Sequence, residues 1–173
     1  IGAYHMLGDI KLRDSSTLNE AGEYFRTLIR LSPQLSTAHS GLGIALLRDK
    51  LRTAEAKASF EKAIELDPNN VWAYDGLGCL YLNEENDYSK AEEFFRKANE
   101  LKPEDARYYL KLGFSSQKQN RFYEAIEFYQ KSAMLNSTNF VPLLFLGSIY
   151  RIMEYHDESR KYLMLAEMIV KKD

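Results

Sequence analysis

Residues 71–103 read VWAYDGLGCLYLNEENDYSKAEEFFRKANELKP. Tyr74, Leu77 and Tyr81 are spaced three and four apart, so they share one face of a helix, and Gly78 beside Leu77 is a point of minimal bulk on it. Further on, Ala91, Phe95 and Ala98 repeat that spacing as small, large, small. A second helix of this pattern closes on the first at Ala91 while the Phe95 ring fills the space beside it. Pro103 then ends the segment, because proline disfavours helical geometry in the residue before it. The stretch predicts two antiparallel helices of about three to four turns each.

Working outward, the same features recur along the whole chain. Leu-Gly stands at Leu7-Gly8, Leu42-Gly43, Leu77-Gly78, Leu112-Gly113 and Leu146-Gly147, at intervals of 35, 35, 35 and 34 residues. Pro33, Pro68 and Pro103 keep an interval of 35 as well. Three residues before each Leu come Tyr4, His39, Tyr74, Tyr109 and Leu143. The small slot of the second helix holds Ala21, Ala56, Ala91, Ala125 and Ser159; the large slot four residues later holds Phe25, Phe60, Phe95, Tyr129 and Leu163. One turn onward lie Leu28 and then the small residues Ala63, Ala98, Ser132 and Ala166. The period predicts an all-α chain of five helix-turn-helix repeats over 1–35, 36–70, 71–105, 106–139 and 140–173, in one domain. Such repeats stack into a right-handed α-solenoid, since a single pair cannot bury both its faces. The first three repeats carry one extra residue between Leu-Gly and the small slot, which lengthens the turn inside the repeat. Thr17 and Glu20 have the spacing of a capping box, with Asp14-Ser15-Ser16 as the turn before it. The fourth repeat ends in Asn136-Ser137-Thr138-Asn139, a polar turn without proline.

Composition agrees with this reading. Only 9 Gly and 4 Pro occur in 173 residues, too few for the turns of a sandwich or barrel. With 45% hydrophobic and 28% charged residues the chain has a core to bury, unlike a disordered segment. A net charge of −2 provides no basic field for nucleic acid. The longest apolar run, Val141 to Ile149, is far shorter than the ~18 residues of a membrane span. Cys79 is the sole cysteine, so neither a disulfide nor a cysteine-based zinc site is expected; one thiol leaves the compartment open, with a lean to reducing cytosol.

The third repeat, with Tyr74, Leu77-Gly78, Tyr81, Ala91, Phe95, Ala98 and Pro103 all in place, resembles the tetratricopeptide repeat, and the resemblance extends over essentially the whole chain. It implies a non-catalytic scaffold that binds a peptide segment of a partner protein in a concave groove lined by the first helix of every repeat. Some members of that family clamp the acidic C-terminus of heat-shock chaperones. Arg107 and Lys111 fall in two basic slots of that clamp, but Ser40, Ile44 and Gly76 stand where it needs Lys, Asn and Asn. The alternative to a free-standing scaffold is a substrate-presenting segment of a larger enzyme, such as a glycosyltransferase.

No catalytic constellation is visible, and the chain itself is not expected to be an enzyme. His5, His39 and His156 lie in three different repeats, with no pair at helical metal-site spacing, so no metal or cofactor is expected. Gly41-Leu42-Gly43 and Gly76-Leu77-Gly78 lack the preceding strand of a phosphate-binding turn. Glu84-Glu85-Asn86-Asp87 lacks the ligand alternation of a calcium loop. Tyr155-His156-Asp157-Glu158 has a base and carboxylates but no nucleophile placed to use them.

Function is therefore sought on the inner face. Counted from each Leu, offsets −5, −2, −1, +2, +5 and +6 lie opposite the core stripe, and 13 of the resulting 30 slots are apolar. That excess on a face open to water points to a protein partner. The candidate partner-binding residues are Met6, Ile44, Trp72, Cys79, Arg107, Lys111, Phe114, Lys118, Phe145 and Arg151. Trp72 and Phe114 are the expected anchors, and the four basic side chains would meet carboxylates of the partner. Gly41 and Gly76 are expected to deepen the groove. At the C-terminal edge, Phe140 to Ile152 and the run from Tyr162 to Val170 are rich in apolar residues where a solenoid end needs a polar cap. Together with Ile1 at the start of a repeat, this reads as a fragment of a longer protein carrying further repeats, as a self-association surface, or as an end covered by a partner.

Overall fold

The computed structural model describes residues 6, 7, 11, 17–48 and 52–171. The first repeat's Tyr4 and Gly8, its turn at Asp14-Ser15-Ser16 and its inner slots Gly2, His5, Asp9, Leu12 and Arg13 lie outside these. Among the described residues there are helices and no strand: α1 (Leu18–Leu31), α2 (Ser36–Arg48), α3 (Thr53–Leu66), α4 (Val71–Leu80), α5 (Tyr88–Leu101), α6 (Ala106–Lys118), α7 (Phe122–Leu135), α8 (Val141–Ile152) and α9 (His156–Val170). They form two compact units, residues 1–101 and 102–173. Within each unit, α2 pairs with α3, α4 with α5, α6 with α7 and α8 with α9, as the repeat pattern predicts. Inside the units a first helix also packs against the second helix of the pair before it, α2 on α1, α4 on α3 and α8 on α7.

The large slot is the centre of this packing. Phe25, Phe60, Phe95 and Tyr129 have no exposed surface, and each meets the first-helix glycine that leaves room for a ring. A Cβ on Gly43 would stand 2.6 Å from the Phe60 ring, and one on Gly113 2.7 Å from Tyr129. Where the small slots hold serine, the hydroxyl is satisfied across the pair: Ser132 Oγ donates to the Ala106 carbonyl and Ser159 Oγ to the Gly147 carbonyl, both at 2.8 Å. These bonds let a buried hydroxyl stand where other repeats have a methyl group.

Helix ends follow the turn chemistry with one exception. Asn70 caps α4, its side chain accepting from the Ala73 N–H at 3.1 Å, and Asp105 caps α6 by accepting from the Arg107 N–H at 3.0 Å. Asn136 replaces the missing proline turn by accepting from both the N–H and the hydroxyl of Thr138, at 3.2 and 2.9 Å. The capping box expected at Thr17 and Glu20 does not form. The Thr17 hydroxyl donates instead to the Lys11 carbonyl at 2.9 Å, and Glu20 is engaged by the Lys11 ammonium at 2.8 Å.

The extra residue of the third repeat sits in a π-helical turn, Tyr81–Glu85, that continues α4. In the fourth and fifth repeats the first helix closes with a five-residue link, Arg121 N–H to Ser116 carbonyl at 2.9 Å and Tyr155 N–H to Tyr150 carbonyl at 2.8 Å. In the third the link spans six, Asp87 N–H to Tyr81 carbonyl at 2.9 Å. All three turns pass through a left-handed residue, Asn86, Asn120 or Glu154, at φ of 54°, 59° and 65°. Asparagine tolerates that region and glutamate does not. Glu154→Gly is therefore expected to stabilise the chain by roughly 0.5–1 kcal/mol, relieved strain exceeding the added backbone entropy; thermal denaturation followed by circular dichroism measures it.

Candidate functional site

The inner slots divide into two classes once the helices are in place. In the N-terminal unit, Ile44 is partly buried and packs, with Leu47, against the core of the first three repeats. Cys79, at the same offset one repeat on, is half-buried. Trp72 is 44% exposed at the first turn of α4, and Met6 is 65% exposed. Gly41 and Gly76 do not deepen a groove. Both are buried, and a Cβ on either would collide with the ring of the preceding repeat, Phe25 for Gly41 and Phe60 for Gly76. The reason is topological: a first helix in a stack has a neighbour on each side, so offset −1 meets the previous repeat instead of solvent.

In the C-terminal unit the −1 slot of α8 is Phe145, which stacks on Tyr129 with ring centroids 5.1 Å apart and planes at 10°. Phe145 also receives the edge of Phe114 at 5.9 Å. The Lys118 ammonium lies 5.2 Å over the Phe114 ring, a cation–π contact at the rim of this aromatic pair. Burial drives the Tyr129 hydroxyl far above the ordinary phenol range, and that hydroxyl donates to Gln117 Oε1 at 2.8 Å. Lys111, one turn before Phe114 on α6, is half-buried, while Lys118 and Arg151 are exposed. Arg107 is exposed as well, but its guanidinium is held by Asp105, with contacts of 2.9 and 2.6 Å. That hydrogen bond holds the Asp105 carboxyl below the usual carboxylate range. A partner's carboxylate at Arg107 must compete with this local one.

Thus the structure brings together Phe114, Lys118 and Phe145 within the C-terminal unit, with Lys111 one turn before Phe114 on α6. It places Ile44 and Phe145 largely in inter-repeat packing. Among the slots, offsets −5 and +6 are the ones left exposed in the middle repeats, at Thr37, Trp72, Arg107, Asn83 and Lys118. Sequence reasoning passed over Asn70. It is 4% exposed and ties two repeats together, donating to Ser36 Oγ at 2.6 Å and Ser40 Oγ at 3.3 Å while Ser36 donates to the Ala63 carbonyl at 2.9 Å. Ser40, in a slot otherwise read as groove, donates to the Thr37 carbonyl of its own helix at 3.2 Å, so its sequence position did not call for a partner from the next repeat. Among the described residues no three His, Cys, Asp or Glu side chains converge as metal ligands. No helix among them is long and apolar enough to cross a membrane.

Known proteins share this architecture. Family models of the tetratricopeptide repeat match residues 59–93 and, separately, 45–70, 106–139 and 142–169. No curated protein matches the chain in sequence. Among solved structures, MamA from Desulfovibrio magneticus RS-1 superposes with a TM-score of 0.84 at 22% identity, over 99% of this chain and 96% of that one. PilF from Pseudomonas aeruginosa gives 0.86 at 22%, over 96% and 75%. YrrB, described as a tetratricopeptide repeat protein with an unusual peptide-binding site, gives 0.75 at 20%, over 96% and 84%. At these identities the likeness is one of fold, whereas the repeat models cover more than half the chain. With helix pairs, packing slots and family models in agreement, the chain belongs to the tetratricopeptide repeat family, all-α solenoids that act as protein-interaction scaffolds.

Proposed function

We propose that the first-helix face of this scaffold binds an acidic peptide segment of a partner protein, with an aromatic or aliphatic anchor seated at Phe114. The observation that carries this is the composition of α6 and α8. Neither helix contains an acidic residue, while they carry Arg107, Lys111, Lys118 and Arg151, with Lys118 over the ring of Phe114 in the Phe114–Phe145 pair. A half-buried ring rimmed by cations offers both an apolar seat and charge for a carboxylate-bearing ligand. Trp72 provides a second exposed aromatic in the N-terminal unit, and the peptide-binding site named for YrrB gives a precedent within the fold.

Selection of a random 12-residue peptide library on the purified chain tests it. Enriched peptides are expected to combine Asp or Glu with one large apolar residue. Phe114→Ala and Lys111→Ala should each weaken the selected peptides about tenfold or more with the thermal transition retained. Peptides without acidic enrichment, or unchanged affinity in both variants, would refute the proposal.

A further inference from the structure

The outward face of α9 is more apolar than that of any second helix before it. Five residues after the small slot the earlier repeats carry Arg26, Glu61, Arg96 and Gln130; α9 carries Met164. One residue on they carry Thr27, Lys62, Lys97 and Lys131; α9 carries Leu165. At the ninth position Arg30, Glu65 and Glu100 give way to Met134 and then Met168. Met164 and Met168 are 58% and 56% exposed. The eighth position holds Ile29, Ile64, Asn99 and Ala133 in the earlier repeats and Glu167 in α9, where it is ion-paired with Lys171 at 2.6 Å.

We propose that this face binds a second copy of the chain, the two α9 helices packing antiparallel about a two-fold axis at Met164. In that arrangement residue i lies opposite residue 328 − i. Lys161 then opposes Glu167, Asp157 opposes Lys171, and Met164 opposes itself. The sequence of the helix is thus complementary in charge to its own reverse, which is what an isologous interface requires. Asp157, Lys161, Met164, Met168 and Lys171 follow one another at spacings of four and three, a single stripe along the helix. The Glu167–Lys171 pair within each copy is exposed, so exchanging it for the pair across the interface costs little. A helix pair of this length covers roughly 1,000 Å² in total, at the lower limit for a specific interface, and so a reversible dimer in the micromolar range is expected.

Sedimentation velocity of the full chain between about 1 µM and about 1 mM reads the equilibrium directly. Lys161→Glu and Glu167→Lys should each weaken dimerisation about tenfold, by setting like charges opposite, and the double variant should return it to within about threefold of the parent. Met164→Asp should abolish it. In a Cys79→Ala background, Met164→Cys should form a disulfide-linked dimer on mild oxidation, since the axis brings the two cysteines within bonding reach. A chain monomeric throughout the range overturns the proposal. So does a dimer indifferent to Met164→Asp, or one that the double charge reversal fails to restore.

Discussion

Phe60→Ala is expected to lower stability by about 3–5 kcal/mol, and in that background Gly76→Ala should reverse its sign. In the parent, a methyl group on Gly76 is driven into the Phe60 ring, which cannot retreat because Gly43 stands against it from its own repeat. Gly76→Ala alone should therefore cost roughly 1–3 kcal/mol. With the ring removed, the same methyl enters the vacated space and adds helix propensity, so it becomes neutral or stabilising. Were Gly76 the floor of an open groove, alanine there would help in both backgrounds. Urea denaturation of the four chains in the cycle separates these outcomes.

Asn70→Asp is expected to cost about 1–3 kcal/mol at neutral pH. The cap on Ala73 survives, because a carboxylate oxygen accepts as well as an amide oxygen. Lost are the two N–H bonds to Ser36 and Ser40, and a buried negative charge faces oxygens that now accept. Burial without a cation raises the new carboxyl's folded pKa above its unfolded value near ~3.9. A raised acid pKa means the folded state takes up the proton more readily. The deficit relative to the parent is therefore full at neutral pH, shrinks as pH falls through the folded pKa, and levels off below the unfolded one. A deficit constant with pH would show that the side chain escapes to solvent.

Periodicity carried the fold because each Leu-Gly, small slot and large slot reports a contact that every repeat must make. Leu77, Ala91 and Phe95 fix where two helices touch, and those positions could be read without coordinates. The inner face was less legible. A first helix has three surroundings, its own partner, the next repeat and solvent, and hydrophobic spacing distinguishes only the first from the rest. Ile44, Gly41 and Phe145 were read as groove for that reason, and the structure places them against neighbouring repeats. Arg107 was legible as a cation but not as the partner of Asp105, because the bond depends on the conformation of the cap. Trp72 is 44% exposed whereas Phe114 is half-buried against Phe145, a difference visible only in three dimensions.

The π-helical turn at Tyr81–Glu85 makes repeat length a local matter. Because the added residue is absorbed between Tyr81 and Asp87, the helices on either side keep the same facing positions as in a repeat without it. Modules of 34 and 35 residues can then present the same packing slots, whichever length the turn has. Growth or loss of one amino acid at that point alters a loop closure and leaves the grammar of the slots intact.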